Sequence, residues 1–166
     1  MSIRAIRCVP DPLLRRKARR VRVIDTSILR LARDMVETLG EARGLGLAAP
    51  QVGVSLRLCV LQMPGEEAFA LVNPEVVKHI GEREVVEGCL SIPGYQGKIM
   101  RAVSVTVKGL DLASKPVRRR ATGLLAQALE HEIDHLDGIL YVDHLESPDR
   151  LYKLEPEQCQ TEIIMA

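Results

Sequence analysis

Between Thr122 and Asp137 the chain reads as a helix with an apolar stripe of Leu125, Ala128, Leu129, Ile133 and Leu136 running beside His131-Glu132-Ile133-Asp134-His135. Thr122 is placed to cap its start, and Gly138 falls just past its end. The stripe predicts a helix buried on much of its surface, and imidazoles carried into such surroundings need partners. Residues four apart share a helix face, so His131 and His135 can reach one metal ion. Glu132, beside the first histidine, stands where a carboxylate can move protons for a water on that metal. The alternative, two exposed histidines on a charged helix, sits poorly with the stripe.

The rest of the chain has to wrap that helix. Thr26 to Ala42 is a second helical stretch, with Ile28, Leu31, Ala32, Met35, Val36 and Leu39 on one face, a cap at Asp25 or Thr26, and a stop at Gly44-Leu45-Gly46. Leu58–Leu61 and Ala70–Val72 are short apolar runs bounded by Gly, Pro and Asn, and Val103, Val105 and Val107 alternate with polar residues. Pro64, Gly65, Pro93 and Gly94 punctuate these segments. Helix, strands, then helix predicts an α+β fold, with short antiparallel or mixed β-sheets packed around the central helix that carries HEIDH. Without repeats or linkers, residues 1–166 read as one catalytic domain, and 147–166 as its C-terminal tail.

A hydrolytic metal needs a third protein donor and an open position. Cys89, His79 and His144 are the candidates. Cys89 lies in Glu87-Gly88-Cys89-Leu90-Ser91, where a glycine lets the backbone approach closely. His79 sits near Gly81 in an expected turn, and His144 reads as a surface residue. Cys8, Cys59 and Cys159 read as small buried hydrophobes, with no C-x-x-C pair or secretory segment to suggest disulfides. Gly44-Leu45-Gly46-Leu47-Ala48-Ala49-Pro50-Gln51 exposes backbone groups to a ligand, and Gln51 carries an amide donor suited to a developing oxyanion. No Lys-Ser/Thr follows, which argues against a phosphate loop.

Taken together, GLGLAAPQ (Gly44–Gln51), EGCLS (Glu87–Ser91) and HEIDH (His131–His135), in this order, resemble the three motifs of the peptide deformylase family. The resemblance runs from about Val9 to His144 and includes Asp11-Pro12-Leu13-Leu14-Arg15. It implies an enzyme that removes the formyl group from the N-terminal formyl-methionine of new proteins and releases formate. It also implies one divalent metal on Cys89, His131 and His135. In the family this is usually Fe(II), with Zn, Ni or Co able to occupy the site; the donor set alone suits zinc equally well. Catalytic roles are implied for Glu132, the Gln51 amide and the Leu90 backbone N–H. Leu45 and Gly46 would pair with the substrate backbone, and its methionine would enter a pocket near Leu47, Val85, Gln127, Ala128 and His131. Glu87 and Arg101 are implied as a pair behind Cys89. Two positions depart from the family pattern: Glu130 stands where Gln is common, and Gln127 where the pocket is often apolar.

Two rival readings fit less well. A zinc peptidase of the wider H-E-x-x-H class more often takes His or Glu as third donor. A catalytically silent metal or ribosome-docking module would need neither Glu132 nor Gln51. The partners expected are nascent formyl-Met peptides and a transient ribosome contact. With one Phe, three Tyr and no Trp, stacking on single-stranded nucleic acid is poorly supported, and a net charge of +1 does not indicate DNA. Eight cationic residues against one acid between Arg4 and Arg22, and Arg118-Arg119-Arg120, read as solvated faces of a short helix and a loop. No apolar run is long enough for a membrane span, and a cytoplasmic monomer is expected.

Overall fold

A computed structural model of the chain describes residues 2–155. Helix α1 (Thr26–Ala42) starts on Asp25, whose carboxylate accepts from the amides of Ser27 at 3.0 Å and Ile28 at 3.1 Å. Its end departs from the glycine stop: Arg43 takes the left-handed conformation, with φ of 55°, and the Gly44 amide returns to the Leu39 carbonyl at 3.3 Å. Gly46 is thereby left to open a strand.

Eight strands follow or flank: β1 (Gly46–Ala48), β2 (Leu58–Leu61), β3 (Phe69–Ile80), β4 (Arg83–Cys89), β5 (Ile92–Arg101), β6 (Ser104–Leu110), β7 (Pro116–Thr122) and β8 (Leu151–Lys153). They form a five-stranded antiparallel sheet in the order β1-β2-β3-β6-β7 and a three-stranded antiparallel sheet in the order β4-β5-β8. Helix α2 (Gly123–Leu136) carries HEIDH.

β2 explains why its sequence shows no alternation. Cys59 and Leu61 pack with Leu129, Ile133 and Leu136 of α2, while Leu58 and Val60 pack with Leu31, Met35 and Leu39 of α1. Both faces are buried, so every position is apolar. A third cluster of Val85, Cys89, Ile92, Ile99, Leu140 and Tyr141 lies under the smaller sheet. The expected α+β layering around α2 is what the structure has.

Several local expectations are corrected. β3 does not stop at Asn73 but runs for 12 residues. Its pairing with β6 slips between Val72 and Glu75, and Asn73 there has a φ of 51°. Pro74 falls in that irregularity, where a missing N–H costs little. The Asn73 amide is held by Val21, through N–H at 2.8 Å and C=O at 2.9 Å. Pro93 and Gly94 lie inside β5, and His79 lies in β3 rather than a turn. Arg118–Arg120 are not in a loop: they belong to β7, which among the described residues pairs only with β6, and cationic side chains blunt such an edge. The basic N-terminal stretch holds only a short 3-10 turn at Pro12–Arg15. Cys8 is exposed rather than buried, and Cys159 lies outside the described residues, as does the tail beyond 155.

Candidate metal centre

Three donors converge in the interior. The Cys89 sulfur, one nitrogen of His131 and one of His135 all lie within 4.8 Å of one another, and all three residues are buried. The i, i+4 spacing on α2 sets the imidazoles 4.9 Å apart, and Cys89 Sγ comes to 3.3 Å from His135 Nε2. Cys89 reaches this position because the β4–β5 register slips between Glu87 and Cys89, and Leu90-Ser91 then turn the chain back so that Cys89 pairs with Ile92. Of the three candidates for a third donor, Cys89 is the one in this group. His79 Nε2 stands 3.5 Å from Glu130, and His144 Nε2 is 2.8 Å from Asp134.

A divalent cation fits this donor set on two observations. His131 Nδ1 is engaged with Glu87 Oε2 at 2.8 Å, while its Nε2 is fully enclosed without a hydrogen-bond partner. A buried imidazole held by a carboxylate on one nitrogen and bare on the other is the arrangement that orients a metal ligand. Burial also pushes the Cys89 thiol far above its ordinary range, with the Glu132 carboxylate adding to the effect. Only a nearby cation makes that thiolate tolerable in such a place.

The carboxylates divide by environment. Burial alone would raise Glu87, but the His131 ring and the Arg101 guanidinium bring it down to about 2. Arg101 donates to it from Nε at 2.6 Å and Nη2 at 2.9 Å. Glu132 has no such support: both its oxygens are enclosed without hydrogen-bond partners, and burial with the charge of Glu87 pushes it well up. It is poised to hold a proton. Space for it depends on Gly46, since a Cβ there would lie 2.7 Å from Glu132 Cδ and 2.8 Å from its Cγ.

Gln51 completes the group. Its carboxamide oxygen accepts the Ala48 amide at 2.9 Å, which turns its NH2 toward Ser91 Oγ at 3.1 Å and the Cys89 sulfur at 3.9 Å. The N-terminal segment braces both loops, through Arg7 N–H to Gln51 O at 2.7 Å and Val9 N–H to Ser91 O at 3.0 Å.

Residues 3–151 match the family model for polypeptide deformylase. A peptide deformylase of Dehalococcoides mccartyi strain CBDB1 is 58% identical over 158 residues, spanning 95% of each chain. That of Thermomicrobium roseum is 46% identical over 97% of this chain and 96% of its own. Among solved structures, a peptide deformylase from Legionella pneumophila superposes with a TM-score of 0.86 at 49% identity, over 90% of this chain and 89% of that one. The chain belongs to the polypeptide deformylase family.

The remaining positions expected of a deformylase fall unevenly around the centre. Val85 and Ala128 are buried, and Gln127 donates to the Val86 carbonyl at 3.1 Å, which joins α2 to β4. Leu47 is buried on the other face of β1 from Glu132. Gly46 faces Glu132, so the next residue points the other way, and Leu47 packs in the cluster with α1. Glu130 accepts the Ala102 amide at 3.0 Å. Reading the sequence missed Ser91 as the partner of Gln51 and left Asp134 undecided. Asp134 accepts from Arg101 Nη1 at 2.7 Å, a contact between distant segments that no local pattern announces.

Proposed function

We propose that Cys89, His131 and His135 hold one divalent metal, and that Glu132, Gln51 and the Leu90 amide carry out the reaction of the family around it: hydrolysis of the N-formyl group on nascent formyl-methionyl peptides. The observation that carries this reading is the enclosed convergence of the Cys89 sulfur with nitrogens of His131 and His135, the His131 Nε2 lacking a hydrogen-bond partner, beside an unpartnered buried carboxyl, Glu132. When bound, the metal supplies Lewis acidity and lowers the pKa of water.

Glu132 takes a proton from the attacking water. The water oxygen then adds to the formyl carbon, and charge develops on the carbonyl oxygen. Gln51 Nε2 has its orientation set by Ala48 and donates to that oxygen together with the Leu90 N–H; losing one such donor costs about 2.7–4 kcal/mol in other enzymes. Glu132 returns its proton to the nitrogen as the C–N bond breaks, and formate and a free amine leave.

β1 is an edge strand, paired only with β2 among the described residues, which supports an extended substrate backbone adding beside Gly46. The Leu45 carbonyl is already taken by the Gln62 amide at 2.8 Å, so Gly46 is the stronger of the two pairing positions. Val85, Gln127, Ala128 and His131 remain the methionine pocket, without Leu47. Transient ribosome contact is assigned to the cationic face around Arg20, which borders three clefts also lined by Lys17, Arg19, Arg22 and Arg118. Cosedimentation that does not weaken with salt would remove that contact.

The deciding experiment is formate release from formyl-Met-Ala-Ser by protein purified without oxygen, alongside its metal content. We expect rapid release with one metal per chain, iron in the native enzyme. A folded, metal-loaded sample that releases nothing would overturn the assignment.

A further inference from the structure

His144 ends the 3-10 turn Tyr141–His144 that follows α2, and its Nε2 lies 2.8 Å from Asp134 Oδ2. From there side-chain contacts run unbroken inward. Asp134 Oδ2 accepts from Arg101 Nη1 at 2.7 Å, Arg101 donates to both oxygens of Glu87 at 2.6 and 2.9 Å, and Glu87 lies 2.8 Å from His131 Nδ1. Exposure falls along this line, from 36% for the His144 side chain to 19% for Asp134, 3% for Arg101 and none for Glu87. Charge alternates along it when the histidines are protonated, so Asp134, Arg101 and Glu87 each stand between two partners, and the guanidinium is shared between two carboxylates.

We propose that His144 is a positioning residue for the metal centre: by holding Asp134 it keeps Arg101 shared between Asp134 and Glu87, and so keeps Glu87 on the His131 ring. The proposal rests on Cys89, His131 and His135 holding a divalent metal. Without His144, Asp134 has only Arg101 left as its strong partner in this line. It draws the guanidinium away from Glu87 and loosens the group that orients His131. Partners of this kind behind a metal ligand are worth about 10–100-fold in metal affinity when they touch the ligand directly. His144 lies four contacts from His131, and the expected effect is smaller, about 3–10-fold.

The form of His144 matters. Its hydrogen bond to Asp134 raises it above its ordinary 6.5, burial opposes this, and Arg101 and Glu87 act on it with opposite signs. Asp143 of its own turn, tied to Arg15 at 2.5 Å, is the other charged neighbour. A protonated ring grips a carboxylate more firmly than a neutral one. The hold on Asp134 is therefore full at low pH and weakens as pH rises through a value above 6.5.

The test measures Co(II) affinity by chelator competition on the full chain, stripped and reloaded, for wild type, His144→Ala and His144→Arg between pH 6 and 8.5. Comparison at each pH cancels protonation of the donors themselves. We expect His144→Ala to bind about 3–10-fold more weakly at pH 6. His144→Arg should match wild type at pH 6 and surpass it as pH rises, with metal-free melting temperatures unchanged. Equal affinities for wild type and His144→Ala at pH 6 would overturn the proposal, as would His144→Arg binding no better than His144→Ala. A wild type that binds no Co(II) would instead overturn the metal reading, and this inference with it.

Discussion

Glu132 owes its usefulness to what does not touch it. Two enclosed oxygens without hydrogen-bond partners are costly to a fold, and they are retained beside the proposed metal donors. Replacing Glu132 by Ala is expected to leave metal content unchanged and lower kcat about 10²–10⁴-fold. Stoichiometric metal with turnover near wild type would sink the proton-transfer role. Gly46→Ala reaches the same carboxyl from the other side, since the added methyl would press on Cδ and Cγ. We expect that variant to fold, lose about 1–3 kcal/mol of stability and lose most of its turnover, read by melting and formate release. At this scale the sequence was legible wherever a motif places donors at fixed spacing. It named His144 only as a candidate donor and surface residue, and it could not supply the partners of Ser91 and Asp134, which lie in distant segments, or the face on which Leu47 packs, because a strand alternates its faces and the motif does not show where the alternation starts.

Elements built from local rules were the readable ones. Asp25 caps α1 with two hydrogen bonds, and Asp25→Ala should cost about 1 kcal/mol, seen as a lower melting temperature without loss of metal. β2 could be found but not oriented, because burial on both faces erases its period. β3 was cut short at Asn73-Pro74 because a bulge supported by Val21 depends on a segment 52 residues away. The arginines of β7 read as loop because an edge strand carries charge where an inner strand carries apolar side chains. Arg57 shows how elements are joined: it donates to the Leu136 carbonyl at 3.0 Å, Asp137 at 2.8 Å and the Pro74 carbonyl at 3.3 Å, tying the end of α2 to β3. Arg57→Ala strands two carbonyls and should cost about 2–3 kcal/mol by urea unfolding. A loss under half of that would mean water replaces the guanidinium.

For the molecule as a whole, the line of charges that joins α2 to the smaller sheet carries an expected response to acid. Glu87 lies at about 2 in the folded chain against an ordinary 4.5. A depressed carboxyl contributes stability that is present above its unfolded value and lost as pH falls through the folded one. The window therefore runs from about pH 4.5 down to 2, and the effect is at most about 3 kcal/mol. Urea midpoints of the metal-free protein should fall across that window, and fall less in Glu87→Gln. Equal acid sensitivity in the two proteins would remove Glu87 as the cause. The layered α+β plan itself was foreseeable from two apolar stripes with strands between them. More than one sheet was expected as well, but which strands fall in which sheet was not legible, since strand order is decided by pairings that span the chain.

Cys89 stands 46 residues before His135 and ends β4 of the three-stranded sheet, whereas both imidazoles sit on α2. An unfolded copy thus offers an ion two imidazoles from one stretch of chain and nothing to close the grip. An ion held by all three donors would therefore bind tightly only to a copy in which the smaller sheet is docked against α2, and such binding would report that docking as well as activity.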